Sequence, residues 1–232
     1  MDLAIGLAAL EARVAADLAS IAWPSAPWVK PRQAPDGSDA LNVLIIGAGQ
    51  GGLTLGLQLR RDCVDRVMII DRAGPDQRGP WKTYGRMITL RSPKFTTGPD
   101  LDIPSLTFQS WFTAQHGAAA WQALGKIPKE MWSDYLGWYE QVLDLPVRHP
   151  VVARAIRPGA ELVAVDLETP DGLQTVHARH VVLATGIDST GRWWMPDFLA
   201  DLPRDRCQHT GDNIDFAALA GRRIAILGAG AS

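Results

Sequence analysis

Residues 41–59, LNVLIIGAGQGGLTLGLQL, join an apolar run at 43–46 to a cluster of glycines and then to an apolar helical stretch. This order predicts a buried strand, a tight turn and the start of a helix. Gly47 can adopt a positive φ, Gly49 has no side chain to keep a phosphate away, and Gly52 lets the helix lie close to its strand. Because the first N–H groups of a helix are free, the spacing predicts a dinucleotide pyrophosphate site. The expected contacts are Gly47, Ala48, Gly49, Gln50, Gly51 and Gly52.

An acidic residue follows the next apolar run. Residues 67–70 predict a second buried strand, and Asp71 closes it. A carboxylate at this point accepts hydrogen bonds from both hydroxyls of an adenosine ribose and repels a 2′-phosphate. We therefore expect Asp71, with the adjacent Arg72, to bind the ribose of FAD or NAD rather than NADP. The alternative is an exposed acid at a strand end that binds no ligand.

The composition of the 232-residue chain excludes several classes of function. Apolar residues make up 47% of the chain, enough for a packed core, and the net charge of −2 indicates neither a nucleic-acid partner nor binding to a membrane. The cysteines, Cys63 and Cys207, form no CxxC pair, so we expect neither a metal site nor a redox dithiol. So few cysteines are typical of a reducing compartment, and we expect a cytoplasmic protein. The sequence does not determine the oligomeric state.

Residues 1–40 are predicted to lie outside the nucleotide-binding domain. Apolar side chains recur at spacings of three and four over residues 1–21, which predicts an amphipathic helix. Residues 24–39 are rich in Pro, Ser, Asp and Gly and are typical of a linker. We expect the helix to pack on the main domain, and a partner-binding helix is the alternative.

Aromatic residues are concentrated between positions 81 and 139. Those from position 132 onward fall on one helical stripe, which indicates a core helix rather than a cofactor contact. Trp81 differs, because it lies in a predicted loop soon after the second strand. Residues 87–105 form another predicted loop, which is either a substrate loop over the nucleotide site or an ordinary surface connection. Lys82 and Arg91 are the candidate substrate contacts, because a cation beside a cofactor stabilises negative charge.

A β-meander is predicted after the aromatic segment. Apolar runs alternate with turn residues, and Thr-Pro-Asp-Gly at 169–172 is a hairpin signal. The last run enters the small-residue turn Ala184-Thr185-Gly186, where the backbone can approach a ligand closely. We therefore expect Thr185 and Gly186 to lie at the cofactor. The predicted strands span residues 151–156, 162–167, 173–176 and 180–183.

The C-terminal residues repeat the opening pattern. An apolar run at 224–227 leads into Gly228-Ala229-Gly230-Ala231-Ser232, which predicts the strand and glycine turn of a second dinucleotide site. The chain stops inside that turn, so we expect the N-terminal portion of a longer enzyme with two dinucleotide sites. Gly228, Gly230 and Ser232 are the expected contacts to NADPH or NADH.

The predicted fold class is α/β. Residues 41–220 are expected to form a Rossmann-like domain that binds FAD, with a parallel central sheet, a hairpin insertion and a helical segment. Residues 221–232 are expected to begin a second, truncated Rossmann domain.

Short motifs in this chain resemble those of one family. Gly79-Pro80-Trp81 resembles the Gly-x-Trp loop, and His209-Thr210 the His-Ser/Thr pair, of flavin-dependent monooxygenases in the class that includes Baeyer–Villiger and amine N-hydroxylating enzymes. The Gly-x-Gly-x-Ser sequence at 228–232 resembles their NADPH motif. The resemblance covers residues 41–232, as the first half of such an enzyme. It implies that Trp81 lies beside FAD, and that FAD reduced by NADPH or NADH oxygenates a small organic substrate with O₂.

Two other functions are compatible with these residues. One is a non-catalytic fragment that binds FAD or another adenine nucleotide, because no catalytic triad or carboxylate pair is evident and the chain ends within the second site. The other is an NAD-dependent Rossmann dehydrogenase, which Gly56, the Gly-x-Trp loop and the second glycine turn disfavour. We therefore name no catalytic residue, and we leave open whether the 232-residue chain is active.

Overall fold

The glycine-rich stretch lies at the centre of the computed structural model, which describes residues 5–21, 26–186, 191 and 193–228. Within these residues, four α-helices and six strands make up a mixed α/β fold, which confirms the predicted class. The helices are α1 (Leu7–Ser20), α2 (Gln50–Arg61), α3 (Phe108–Ala123) and α4 (Lys129–Val142). The strands are β1 (Leu41–Ile46), β2 (Val67–Ile70), β3 (Val147–Arg148), β4 (Val152–Pro158), β5 (Val163–Thr169) and β6 (Gly172–Leu183).

The strands form one sheet in the order β3-β2-β1-β6-β5-β4. Strands β3, β2 and β1 are parallel to one another, and β1 is also parallel to β6. Strands β5 and β4 continue the sheet in antiparallel fashion, as the predicted hairpin requires. Consecutive β1 side chains point to opposite faces: Ile45 packs with the helices, whereas Leu44 packs with Val165 and Leu167 of the hairpin. Both faces of β1 are therefore buried, as its uninterrupted apolar run predicts.

Strand β6 is a single strand of 12 residues, where the sequence predicts two strands at 173–176 and 180–183. Ala178 is the residue that joins them. It lies opposite Val163 in the antiparallel pair and opposite Leu41 in the parallel pair, and it is fully buried. The prediction was wrong here because the polar residues on either side of Ala178 interrupt the apolar pattern. They do not interrupt the hydrogen bonds between strands, since backbone groups make those bonds.

An aromatic layer formed by α3 and α4 covers one face of the sheet. Trp132, Tyr135 and Tyr139 of α4 are buried, which confirms the predicted core stripe. The Tyr135 hydroxyl donates to the carbonyl of Leu106 at 2.7 Å, and that of Tyr139 donates to the carbonyl of Pro99 at 2.5 Å. Burial raises the pKa of both phenols far above the usual value, so they remain neutral donors. These bonds attach the loop before α3 to the core.

The N-terminal helix packs on the main domain, as predicted. Leu10 and Val14 of α1 are buried in the same cluster as the aromatic layer. The N–H of Gly6 donates to the carbonyl of Ala114 in α3 at 2.7 Å, and the indole of Trp138 donates to Glu11 at 3.2 Å. The helix therefore packs on the aromatic layer through buried side chains.

Residues 224–227 do not form the strand that the sequence predicts. Within the described part of the chain they pair with no other strand. Ile224, Ile226 and Leu227 are 58%, 82% and 62% exposed. An apolar run forms a strand where a neighbour supplies backbone hydrogen bonds and a layer covers the side chains, and the described residues supply neither here.

Helix α2 lies close to the glycine turn and to β2 because Gly52 and Gly56 face them. A Cβ atom at Gly52 would lie 1.9 Å from the carbonyl oxygen of Gly47, and one at Gly56 would lie 2.7 Å from Cδ1 of Ile69 in β2. The backbone at Gly52 cannot retreat without moving the whole helix, whereas the isoleucine side chain can rotate. Gly52 is therefore the position that fixes the distance between α2 and the turn.

We predict that Gly52→Ala lowers the free energy of unfolding by roughly 3 kcal/mol, because the added methyl group overlaps the backbone of the turn. Gly51→Ala is the matched control, since a Cβ atom there would meet nothing within 4 Å. It should leave stability unchanged or raise it by up to about 1 kcal/mol, as alanine favours helices. Urea unfolding followed by circular dichroism measures both. Equal stability of the two variants would contradict the close approach.

Candidate functional site

The glycine turn lies at the carboxyl ends of β1 and β6. Gly47 has a φ of +113°, and its N–H donates to the carbonyl of Ile70 at 2.7 Å. A Cβ atom at Gly47 would lie 2.3 Å from the carbonyl oxygen of Ala184. The start of the Ala184-Thr185-Gly186 turn therefore lies against the glycine turn. The structure thus brings together the two segments where the sequence predicts close approach to a ligand.

The other side of the glycine turn is open. Gly49 caps α2 without a side chain, and a Cβ atom at Gly49 or Gly51 would meet nothing within 4 Å. The first N–H groups of a helix have no acceptor within the helix. A pyrophosphate needs free N–H donors and close approach to the backbone, and this turn provides both. The residues present therefore fit the phosphates of a dinucleotide.

Asp71 lies beside the same turn. Its carboxylate accepts hydrogen bonds from the N–H groups of Ala48 at 2.8 Å and Ala73 at 2.9 Å. Its own N–H donates to the carbonyl of Arg148 at 3.1 Å, and its carbonyl accepts from Val151 at 2.8 Å. The carboxylate is therefore held in one place. Because an ionised carboxylate has about four acceptor sites and two are used here, it can still accept hydrogen bonds from ribose hydroxyls.

A cavity of about 300 Å³ lies next to the start of α2. Gln50, Trp81 and Arg91, all predicted site residues, line it together. Arg91 supplies the charged side chain of this lining, and Trp81 presents a half-buried indole. A larger open depression on the β5–β6 hairpin contains none of the predicted residues and is remote from the glycine turn. The remaining residues that line the cavity are Met87, Leu90, Ser92, Pro93, Thr96, Thr97, Ile127 and Trp132.

The predicted site residues Lys82 and Arg72 do not line this cavity. The ammonium group of Lys82 is paired with the Asp134 carboxylate of α4 at 2.6 Å, on the exposed surface. Arg72 follows Asp71 and is also exposed. A substrate role for Lys82 would therefore require its pair with Asp134 to open.

Lysines that bind backbone carbonyls hold the cavity wall, and the sequence analysis missed them. Lys94 Nζ donates to the carbonyls of Trp121 at 2.5 Å and Leu124 at 2.6 Å, at the end of α3. Lys129 Nζ donates to the carbonyl of Trp81 at 2.5 Å. A carbonyl acceptor leaves no signature in the sequence, because every residue has one. These bonds fix the loops that carry Trp81 and Arg91 to the helical layer.

A buried ionic cluster near the C-terminal end of α4 was also missed. Glu140 pairs with Arg78 at 2.8 Å through one carboxylate oxygen and lies 3.3 Å from His149 Nε2 through the other. The side chains of Arg78, Glu140 and His149 are only 3%, 15% and 9% exposed. Nδ1 of His149 is 2.9 Å from the carbonyl oxygen of Ala73. Arg78 lies 62 positions before Glu140, and His149 lies beyond the end of α4, so no local pattern indicates the cluster.

The C-terminal segment contacts the loop that follows Trp81 through an aromatic pair, in which Trp193 and Tyr84 are arranged edge to face with a centroid distance of 6.0 Å. The His209 ring stacks on Trp193 with a centroid distance of 4.6 Å. Gly228, a predicted contact of the second nucleotide, is exposed and has a φ of +110°. The other two predicted contacts, Gly230 and Ser232, lie outside the described residues.

Two other site types are not found in the part of the chain that the structure describes. None of its helices combines the length and apolar character needed to cross a membrane. Within the same residues, no three His, Cys, Asp or Glu side chains are grouped closely enough to hold a metal ion. Cys63 and Cys207 are both free thiols.

Comparisons with known proteins agree with this geometry. The profile of a family described as FAD-NAD(P)-binding matches residues 44–188, more than half of the chain. The FAD-dependent urate hydroxylase of Xanthomonas campestris pv. campestris is 45% identical over 98% of this chain and 48% of its own length. The chain therefore spans about half the length of that curated relative.

Solved structures show the same fold. The ornithine N-hydroxylase of Kutzneria sp. 744 superposes with a TM-score of 0.53 and 24% identity, over 63% of this chain and 37% of that chain. The cadaverine monooxygenase of desferrioxamine biosynthesis from Erwinia amylovora, solved bound to FAD, superposes with a TM-score of 0.57 and 14% identity, over 73% of this chain and 40% of that chain.

The profile match begins inside β1 and ends just beyond the Ala184-Thr185-Gly186 turn, so it contains the glycine turn and Asp71. Sequence, fold and site geometry lead to the same assignment: this chain belongs to the FAD-NAD(P)-binding family.

Proposed function

We propose that this chain is the FAD-binding portion of an NAD(P)H-dependent flavoprotein monooxygenase that oxidises a small organic substrate. The observation that carries the proposal is the joint position of the open glycine turn and the Asp71 carboxylate, bonded to each other through Ala48. The 45% identity to a urate hydroxylase supports the class of reaction and makes urate the first substrate to test. We place the enzyme in the cytoplasm, in line with its two free thiols.

The residues of the chain have separate tasks in this proposal. N–H groups at the start of α2 bind the FAD pyrophosphate, and Asp71 accepts hydrogen bonds from the adenosine ribose. Trp81 and Arg91 line the adjoining cavity, where an indole packs against a flat ring and a guanidinium stabilises negative charge. When bound, FAD supplies the redox chemistry, taking electrons from NAD(P)H and transferring an oxygen atom from O₂ to the substrate.

A second NAD(P)H-binding unit that begins near residue 221 is part of the same proposal. The glycine-rich sequence at 228–232 supports it, and this chain covers only 48% of the length of the urate hydroxylase. If the chain acts alone, the alternative of an FAD-binding module without turnover applies. Reduction of bound FAD by NADPH distinguishes the two, because a binding module would take up FAD and leave it oxidised.

We predict that the purified chain binds FAD and that Asp71→Asn weakens binding roughly 10- to 100-fold, as expected for lost hydrogen bonds to a charged acceptor. Quenching of FAD fluorescence during titration gives both dissociation constants. Asp76→Asn is the matched control, because Asp76 is an exposed acid in the same loop and should bind FAD like the wild type. No FAD binding by a folded wild-type chain would overturn the proposed function.

We predict that FAD on this chain, reduced with dithionite and then mixed with O₂, oxidises urate, and that Arg91→Gln lowers the yield roughly tenfold by removing a charged contact. Chemical reduction makes the assay independent of the second nucleotide site. Chromatography measures urate consumed per bound flavin. Arg13→Gln removes an equal charge from exposed α1 and should have no effect. Unchanged urate in the wild-type reaction would rule out urate as the substrate.

A further inference from the structure

We propose that Glu140 is a positioning residue for the adenosine end of the bound nucleotide, acting through Arg78 and His149 on the loop that follows Asp71. This inference rests on the proposed binding of FAD. Nothing in the sequence motifs or in the comparisons assigns a role to these three side chains.

The loop and the ribose acceptor form one structural unit. Asp71 begins the loop, and its carboxylate accepts the N–H of Ala73 at 2.9 Å. The Asp71 carboxylate also holds the glycine turn through Ala48. Movement of the loop at Ala73 would therefore move the carboxylate that faces the ribose.

The ionic cluster holds this loop at both ends. His149 bonds to the carbonyl of Ala73 near its start, and Arg78 at its end pairs with Glu140. Within the described residues, the bonds from Ala73 to His149 and from Arg78 to Glu140 are the ones that join residues 72–78 to distant parts of the chain. Between them, the short helical turn Pro75–Gln77 is exposed and adds no buried side chain. The loop therefore depends on Glu140 for its position.

Helix α4 is shaped to receive the Arg78 guanidinium. A Cβ atom at Gly137 would lie 2.8 Å from Arg78 Nη1. Glycine inside a helix weakens it, so its presence one turn from Glu140 needs a local reason. The space it leaves is filled by the buried cation. The pairing geometry is therefore built into the helix as well as into the loop.

A buried ionic cluster contributes little net free energy to folding. Desolvation of the charges offsets most of their attraction. Replacing a buried ionic cluster by apolar residues of similar size often leaves a protein equally stable or more stable. Two charged hydrogen bonds with fixed directions do, however, restrict a polar loop to one geometry. Such a restriction is consistent with a loop that holds the Asp71 carboxylate in position for the ribose.

The main experiment compares Glu140→Gln with Asp134→Asn. Both changes remove one carboxylate from α4, but Asp134 pairs with exposed Lys82 instead of the loop after Asp71. Calorimetric titration measures the dissociation constants for FAD and for ADP, which shares only the adenosine and phosphates. We expect Glu140→Gln to weaken both ligands by a similar factor, roughly tenfold or more, as expected for a misplaced contact group. Asp134→Asn should bind both ligands like the wild type.

Several outcomes separate positioning from general stability. Wild-type affinity in Glu140→Gln, or a loss for FAD without a loss for ADP, would overturn the inference. If Glu140→Gln fails to fold, Gly137→Ala tests the same contact by displacing Arg78, and unchanged ADP affinity there would also overturn it. A wild-type chain that binds neither ligand would refute the proposed function itself.

The pH profile of ADP affinity gives a readout that a purely structural role would not change. The Glu140 carboxylate raises the pKa of His149 against the opposing effects of burial and the nearby Arg78 charge. The charged imidazole donates to both Glu140 and Ala73, and it is lost as the pH rises through this raised pKa. We expect wild-type ADP affinity to fall several-fold between about pH 6 and pH 9. His149→Gln should remove most of this pH dependence of ADP affinity. His116→Gln changes an exposed histidine and should retain the dependence. The same pH dependence in the wild type and both variants would contradict the role of His149.

Discussion

The close approach of two backbones is the constraint on which this site depends. The turn after β1 passes so near to the end of β6 and to the first turn of α2 that no side chain fits at Gly47 or Gly52. The same crowding leaves the opposite side of the turn free of side chains at Gly49 and Gly51. Phosphates can approach the backbone there because the polypeptide, and not a side chain, forms the surface.

The polar parts of the site are anchored by an apolar layer. Helices α3 and α4 bury an aromatic cluster against the sheet. From this layer Tyr135 and Lys129 donate hydrogen bonds to the carbonyls of Leu106 and Trp81. In the opposite direction, Lys94 of the cavity loop donates to the carbonyls of Trp121 and Leu124 at the end of α3. Few side chains of these loops are buried, so contacts with helices α3 and α4 determine the positions of the loops. The loops thereby form a defined wall beside the glycine turn.

Local patterns in the sequence predict much of this arrangement. The glycine turn, Asp71 and the hairpin follow from spacing over a few residues, and the structure places the first two in contact through Ala48. Features that depend on distant partners were not predictable. Strand β6 continues past Ala178 because two neighbours pair with it, and residues 224–227 remain unpaired because the described residues offer no neighbour. The residues of the Glu140 cluster likewise lie on separate elements and are brought together only by the fold, so no local pattern predicts their contact.

The most direct test of the central claim is a crystal structure of this chain with FAD. In that structure we expect the pyrophosphate to lie within hydrogen-bonding distance of the N–H groups at the start of α2, and both adenosine ribose hydroxyls to donate to Asp71. We also expect the flavin ring to enter the cavity lined by Trp81 and Arg91. FAD bound elsewhere on the surface, or bound at the turn with its ribose remote from Asp71, would contradict the account.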